Sequence, residues 1–428
     1  MSSRALPTRI RTVAVLGGGP AGASLAQRLA QQGLVVAIFD RRTRPPLVVG
    51  ESLIPALMPL LAELGVEDEV RSYSMNKPGA TFVLDEGRTV QTLRFADVPG
   101  ATLSYAYNVP RDRFDETLFQ SAIRAGVKLF PFQAGLERDG DDGVKLTAET
   151  LAKTDGFFGP DGPDHIVDAT GRARTIGKLL QLAFHEGPRK DVAIFAHMDG
   201  IPVQDEGHIH TEVMERGWSW RIPLPGRMSL GFVVPQAELN SMGENAEAQY
   251  EAMLTRDSCA VRWGAEPRRL TGVVKYNNYQ LLTHRGTGPG WSLVGDALGF
   301  VDPVFSSGMM LAIESARTLA ATIVDGSPAA FQRYEARVRG QIGAWQEAVG
   351  YFYNGRLFSA IELGERLEKH FPGSLFAPHF RHHMPRVFTG EATGAWYSLM
   401  LLNVMCNYGL MGYDLRKFQV SDGTKLAA

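Results

Sequence analysis

Cysteine is nearly absent. The 428-residue chain has two, Cys259 and Cys406, far apart and outside any C-x-x-C, so neither a disulfide framework nor a zinc site is expected. His208, His210, His382 and His383 have no cysteine nearby and no H-x-x-E pattern, so a surface or packing role is expected of them and no metal is expected. An excess of either charge is missing too. Lysine and arginine number 44 against 46 acidic side chains, with no basic run, which excludes nucleic acid as an expected partner. The nine residues before Ile10 hold no apolar signal-peptide core, and the expected location is the cytoplasm. Long hydrophobic runs are also scarce. Ala395 to Tyr413 comes nearest, but Asn403, Asn407, Gly409 and Gly412 interrupt it and its length is at the short edge of a span. A helix covering the core or the mouth of a site is expected there, and no membrane anchor.

What is present is concentrated first in Thr12 to Asp40. Val13 to Leu16 reads as a short buried strand, and Gly17-Gly18-Gly19-Pro20-Ala21-Gly22 then opens a helix carrying Leu25, Ala26 and Leu29 on one face. Gly33 ends that helix, and Leu34 to Phe39 is a second buried strand finishing at Asp40. Gly17, Gly19 and Gly22 fit G-x-G-x-x-G. They serve a tight turn, close backbone approach to a pyrophosphate, and helix–strand packing, while the helix N-terminus offers free N–H groups to phosphates. Asp40 is placed to accept from a ribose hydroxyl. A dinucleotide site is therefore expected.

Further on, Gly50-Glu51-Ser52-Leu53-Ile54-Pro55 leads to a helix through Leu57, Leu60, Leu61 and Leu64. Thr81 to Phe95 alternates around Asp85-Glu86-Gly87 and predicts a hairpin. Asp112 is a candidate cap for a helix bearing Phe114, Leu118 and Ile123. Residues 137–163 read as strands joined by exposed turns. His165 to Asp168 is another short strand. Between about 185 and 275 helical signal is scarce outside 244–256, and Val192 to His197 and Met228 to Val234 suggest a separate antiparallel sheet. Trp291 to Val294 returns to the buried-strand pattern and ends at Gly295-Asp296, after which Gly308 opens a helix. From Phe331 the chain reads mostly helical and aromatic, and Trp345, Tyr351, Phe352, Tyr353, Trp396 and Tyr397 suit either a substrate cover or plain core.

The order G-x-G-x-x-G, Arg111-x-x-Phe114-Asp115, Asp168-Ala169-Thr170-Gly171 and Gly295-Asp296-Ala297 resembles the FAD-dependent monooxygenase superfamily of the p-hydroxybenzoate hydroxylase type. Trp218-Ser219-Trp220-Arg221-Ile222-Pro223 matches the W-x-W-x-I-P signature of flavin-dependent halogenases, and Gly50 to Pro55 resembles their G-E-S-x-x-P stretch. The resemblance covers roughly residues 10 to 355. It implies an α/β protein with a glutathione-reductase-type, Rossmann-like FAD domain in three pieces (8–80, 108–184 and 276–330). An inserted antiparallel sheet (81–107 and 185–275) would cover the substrate, and a helical region (331–428) would follow.

The resemblance further implies roles. Gly17, Gly19, Gly22, Asp40, Arg111, Asp168 and Asp296 would hold FAD, although a turn role for Asp168 and a surface ion pair for Arg111 stay open. Ser307 and Gly308, at a helix N-terminus, would hold halide, against a plain N-cap by Ser306. Lys77, in Lys77-Pro78-Gly79-Ala80-Thr81-Phe82, would take hypohalous acid and deliver electrophilic halogen, and read alone it is a solvated loop lysine. Trp218 and Trp220 would keep substrate from the oxidant. Phe305 stands where members acting on free tryptophan carry glutamate, which points to a phenolic or pyrrolic substrate, free or on an acyl carrier protein, and leaves the ring base unassigned, with Glu51 a weak candidate. A flavin reductase would supply reduced FAD. An aromatic hydroxylase, a prenyl-chain reductase and a flavin-carrying binding protein are the rivals on the same scaffold.

Overall fold

A computed structural model describes residues 9–45, 47–99, 101, 103–203, 205–256, 266–278, 280–368, 379, 382–392 and 396–420. Cys259 and Ala395 lie outside them. The opening unit is β1 (Thr12–Leu16), α1 (Pro20–Gln31) and β2 (Val35–Phe39). Val13 to Leu16 and Val36 to Phe39 are at most 4 % exposed, as strands covered on both faces must be.

Next come β3 (Met75–Lys77), β4 (Gly79–Leu84), β5 (Thr89–Arg94), β6 (Ala106–Asn108), α2 (Arg111–Arg124), β7 (Lys128–Phe130) and β8 (His165–Asp168). Pro110, not Asp112, is the N-cap of α2. Asp112 sits in the first turn instead, where its charge favours the helix dipole. After β8 the chain adds β9 (Asp191–Asp199), β10 (Ile209–Val213), β11 (Trp218–Leu224), β12 (Arg227–Pro235), β13 (Arg268–Arg269) and β14 (Val274–Asn278). β15 (Thr287–Gly288), β16 (Trp291–Leu293), α3 (Gly308–Asp325), α4 (Pro328–Tyr353) and α5 (Trp396–Tyr408) follow.

A six-stranded sheet has the order β15-β16-β8-β1-β2-β7, parallel except at β15. An eight-stranded sheet has the order β13-β9-β12-β11-β10-β4-β5, with β14 also on β9, and it is antiparallel except where β10 meets β4. This is the expected α/β architecture: a Rossmann-like sheet, an inserted antiparallel sheet and a helical C-terminal region. In the inserted sheet the period of two sorts side chains by face. Val192, Ile194, Ala196 and Met198 form an outer cluster with Phe232, Tyr250 and Met253. Ala193, Phe195, Trp218, Trp220 and Ile222 face the main core.

β3 and β6 pair antiparallel, and Ser52 bridges to Asn108 on the other edge of β6. The aromatic C-terminal region is chiefly core: Trp345, Tyr351, Phe352 and Tyr353 are buried, whereas Trp396 is 75 % exposed. Among the described residues no helix is long and apolar enough to cross a membrane.

Trp220 pairs with Gly231 across β11 and β12, and a Cβ at 231 would come within 2.2 Å of the indole. Gly231→Ala is expected to cost about 1–3 kcal/mol by forcing that ring aside, read as a lowered denaturant midpoint together with a changed tryptophan emission.

Candidate active site

A cavity of about 690 Å³ lies between the carboxyl ends of β1, β8 and β16 and the inner face of the inserted sheet. That is within the ordinary range for a ligand site, and the carboxyl ends of parallel strands are where such sites form. Gly17, Gly19, Asp40, Arg111 and Asp296 line one part, and Trp218, Trp220, Ser306 and Gly308 line another.

The three glycines do different things. Gly17 has φ +98°, and a Cβ on it would stand 2.6 Å from the Ala169 carbonyl oxygen. A Cβ on Gly22 would stand 2.0 Å from the Gly17 carbonyl oxygen, so both are required by packing. Gly19 is the N-cap of α1, offers no side-chain cap, and would meet nothing within 4 Å. Its missing side chain leaves room for a ligand at free helix N–H groups.

Asp40 accepts from the Gly18 and Arg42 N–H groups, both at 2.6 Å, and from Arg44 at 3.1 Å. Burial alone would raise its carboxyl, but the Gly18 N–H, the Arg44 charge and the Arg42 N–H outweigh it and hold it below the usual range. Arg111 is buried and forks onto Asp115 at 2.8 and 3.0 Å while donating to the Val49 carbonyl. Its ion pair is thus an interior one, not the surface pair left open by the sequence. Asp296 opens to the cavity and has no hydrogen-bond partner among the described residues. Burial pushes its carboxyl up to about 6, against the charges of Arg172 and Arg111.

Asp168 is placed otherwise. Its carboxylate accepts from the Thr170 N–H and hydroxyl and from the Ile176 N–H, and Ala169 to Arg172, not Asp168, reach the cavity wall. The turn role accounts for these hydrogen bonds. The side chain is spent on the chain's own backbone.

At the start of α3 the N-cap is Ser307, not Ser306, which takes φ +58° just before it. The Ser307 hydroxyl makes no cap bond and is buried with no partner among the described residues. Gly308 reaches the cavity and Ser307 stands behind it.

Lys77 is 2 % exposed. Its Nζ donates to the Leu53 carbonyl at 2.7 Å and lies 5.5 Å from the centre of the Phe95 ring. No carboxylate pairs with it among the described residues, and burial pushes the ammonium down to about 7. Lys77 is not on the cavity wall, but Glu51 and Ser52 are, so the cavity ends one residue short of the carbonyl that holds the amine.

Two pairings were not readable from the sequence. Trp218 Nε1 donates to the Tyr353 hydroxyl at 2.9 Å, which in turn donates to Asp302 at 2.7 Å, tying β11 to the loop that enters α3. Tyr353 was visible only as one of a run of aromatics. Glu51 is buried and hydrogen-bonds His197 Nε2 at 2.7 Å. No spacing connects these two residues, 146 positions apart. Phe305, in the glutamate position, is buried against Trp345, Phe352 and Phe388. No cluster able to hold a metal occurs among the described residues.

The open space at Gly19, the uncapped helix behind it and the unpartnered Asp296 carboxylate fit FAD. Its pyrophosphate would lie at α1, its ribose at Asp40 and its ribityl hydroxyls at Asp296.

Residues 72–357 match the tryptophan halogenase family, and residues 15–48 match an NAD(P)-binding Rossmann-like domain. A flavin-dependent halogenase of Penicillium aethiopicum is 31 % identical over 73 % of this chain and 64 % of its own length. The 1H-pyrrole-2-carbonyl-peptidyl-carrier-protein chlorinase of Pseudomonas fluorescens is 28 % identical over 82 % and 85 %. The chain thus spans less than two thirds of the length of the first of these relatives and more of the second. Among solved structures, a flavin-dependent brominase superposes with a TM-score of 0.75 at 21 % identity, covering 92 % of this chain and 98 % of that one, which bears on the fold alone. The myxobacterial chondrochloren halogenase superposes with a TM-score of 0.70 at 25 % identity, covering 94 % and 98 %.

Gly19→Ala is expected to fold with stability within about 0.5 kcal/mol of the parent yet to bind FAD at least about tenfold more weakly, whereas Gly22→Ala loses stability itself. Equilibrium binding by flavin fluorescence and thermal unfolding separate the two. A second expectation concerns pH. Asp296 accepts hydroxyl donors best when ionised, so FAD affinity falls as pH drops through about 6 and is restored above it, measured by the same titration across that range.

Proposed function

The chain belongs to the tryptophan halogenase family, and from that premise we propose that it halogenates an electron-rich aromatic ring using FAD, dioxygen and chloride or bromide. The observation that carries the reading is Lys77, an amine enclosed behind the cavity with a single carbonyl to hold it. Reduced FAD brought by a separate flavin reductase, together with dioxygen, supplies the oxidation: FADH2 + O2 + X⁻ + H⁺ gives FAD + HOX + H2O.

The protein contributes position and exclusion of water. Free N–H groups and the dipole at the start of α3, with the unpartnered Ser307 hydroxyl, hold the halide. Trp218 and Trp220 form part of the cavity wall and keep the ring of the substrate from the place where oxidant is made. The Tyr353–Asp302 chain fixes the angle of Trp218.

Lys77 then receives the halogen. Its neutral amine displaces water from hypohalous acid, Lys–NH2 + HOX giving Lys–NHX + H2O. The aromatic carbon takes X from nitrogen and its ring proton returns to the amine. Desolvation makes this feasible near neutrality, because an ordinary lysine would be protonated there. The substrate is phenolic or pyrrolic, and the carrier-protein chlorinase among the relatives supports a carrier-bound ring. Phe305 removes the carboxylate that tryptophan-acting members use. The cytoplasm is the proposed location.

With a flavin reductase, bromide and a phenol, the product is expected to gain the mass of bromine and not of oxygen. Lys77→Met should abolish that product while dioxygen consumption continues. It should also raise the thermal midpoint at pH 7 by about 2 °C or more, since an apolar side chain replaces a desolvated amine. The sign follows from linkage: the folded amine titrates near 7 and the unfolded one near 10.5, so the parent gains stability as pH rises between them and the advantage of the variant shrinks. Halogenation by the variant at the parental rate would remove Lys77 from the mechanism.

A further inference from the structure

The cavity and Lys77 are separated by one short extended segment, and two buried side-chain oxygens at that partition have no hydrogen-bond partner among the described residues. Ser52 bridges Asn108 on β6, flanked by the bonds Leu53 N–H to Tyr107 O at 2.9 Å and Val109 N–H to Glu51 O at 2.7 Å. In that antiparallel pattern Ser52 and Asn108 are a non-hydrogen-bonded pair, the closer kind, with both side chains on one face. On the opposite edge of β6, Lys77 stands across from Ala106. Ala106 and Asn108 are two residues apart, so Lys77, Asn108 and Ser52 all project from the same face.

Both residues are buried. Ser52 is 2 % exposed and Asn108 is fully covered. The Asn108 amide nitrogen donates to the Gly207 carbonyl at 3.0 Å, which fixes the rotation of the group and leaves Oδ1 as its free end. Asn108 Oδ1 and Ser52 Oγ each lack a partner among the described residues, so they do not reach one another either. Buried polar atoms left in this state mark a place for a ligand or an ordered water. Ser52 belongs at the same time to the cavity wall, and its neighbour Leu53 supplies the carbonyl that binds Lys77.

We propose that Ser52 and Asn108 form a polar gate that hydrogen-bonds hypohalous acid as it passes from the cavity to Lys77. The inference rests on the halogenase reading and adds a binding step to it. Hypohalous acid is a small molecule with one donor and one acceptor oxygen. Its O–H donates to Asn108 Oδ1 and its oxygen accepts from the Ser52 hydroxyl, with no covalent bond made or broken. At rest both oxygens are closed off from solvent, so bulk water does not flood the passage. The acid offers the two bonds that the partition lacks, and the partition yields to it in preference to the halide, which has no proton to give. Loss of the gate sends oxidant out through the cavity mouth instead of inward to the amine.

A single turnover without aromatic substrate tests this. Protein loaded with reduced FAD is mixed with aerated bromide buffer containing taurine. Oxidising equivalents retained on the desalted protein are titrated with iodide, and those captured as N-bromotaurine are measured in the filtrate. The ratio of retained to captured equivalents is the readout, and their sum corrects for FAD loading. The parent is expected to retain most of them and Lys77→Met none. Ser52→Ala should lower the ratio about tenfold, as the loss of one hydrogen bond to a buried partner would, and Asn108→Leu should move it the same way. Ser52→Thr, which keeps the hydroxyl, should restore part of it. Parental ratios in both Ser52→Ala and Asn108→Leu overturn the gate while leaving Lys77 in place. Neither retained nor captured oxidant from the parent would bring down the halogenase reading and the gate with it.

Discussion

One extended segment, Gly50 to Leu53, serves the cavity and Lys77 at once. Glu51 and Ser52 line the cavity, and the carbonyl of the next residue, Leu53, holds the Lys77 amine. Because the segment is pinned to β6 by backbone bonds, neither contact can shift without the other. On the halogenase reading proposed above, that segment is the wall between the place where oxidant is made and the amine where it is spent.

The wall would mean little if the amine were charged. A lysine in water holds its proton far above neutrality, and a carboxylate within reach would hold it more firmly still. Lys77 is 2 % exposed and has no carboxylate partner among the described residues, with the Leu53 carbonyl and the Phe95 ring beside it. Such an arrangement is costly to the fold, since a desolvated amine is paid for elsewhere in the structure. Active sites are where strain and poor solvation of this kind collect. The same holds for the Asp296 carboxylate on the cavity wall, which has no hydrogen-bond donor among the described residues.

The inserted sheet supplies the remaining constraint. Trp218, Trp220 and Ile222 point inward because they alternate, and Gly231 is flat against Trp220 because any side chain there would occupy the indole's volume. Trp218 is then oriented by Tyr353, which reaches in from α4 and donates its own hydrogen bond to Asp302. The tryptophan pair, the loop before α3 and the long helix α4 are therefore one mechanical unit, although they come from widely separated parts of the chain.

Much of this was legible in order of residues. The turn at Gly17 to Gly22 is readable because a glycine pattern, a buried strand and a helix must occur in sequence, and local sterics dictate each. The alternation in β9 and β11 is readable for the same reason, and so is the family resemblance carried by the tryptophan motif. What could not be read was which polar groups end up without partners. Asp168 and Asp296 both follow short buried strands, yet the first is consumed by its own turn and the second is left open. Lys77 looks like a loop lysine until β6 and the Ser52 segment cover it. Sequence determined the elements, the faces they bury and the kind of cofactor they suit, since those follow from periodicity and backbone geometry within a few residues. Only the tertiary structure decided where solvent is absent, because desolvation is a property of everything packed around a group and of no short stretch that contains it.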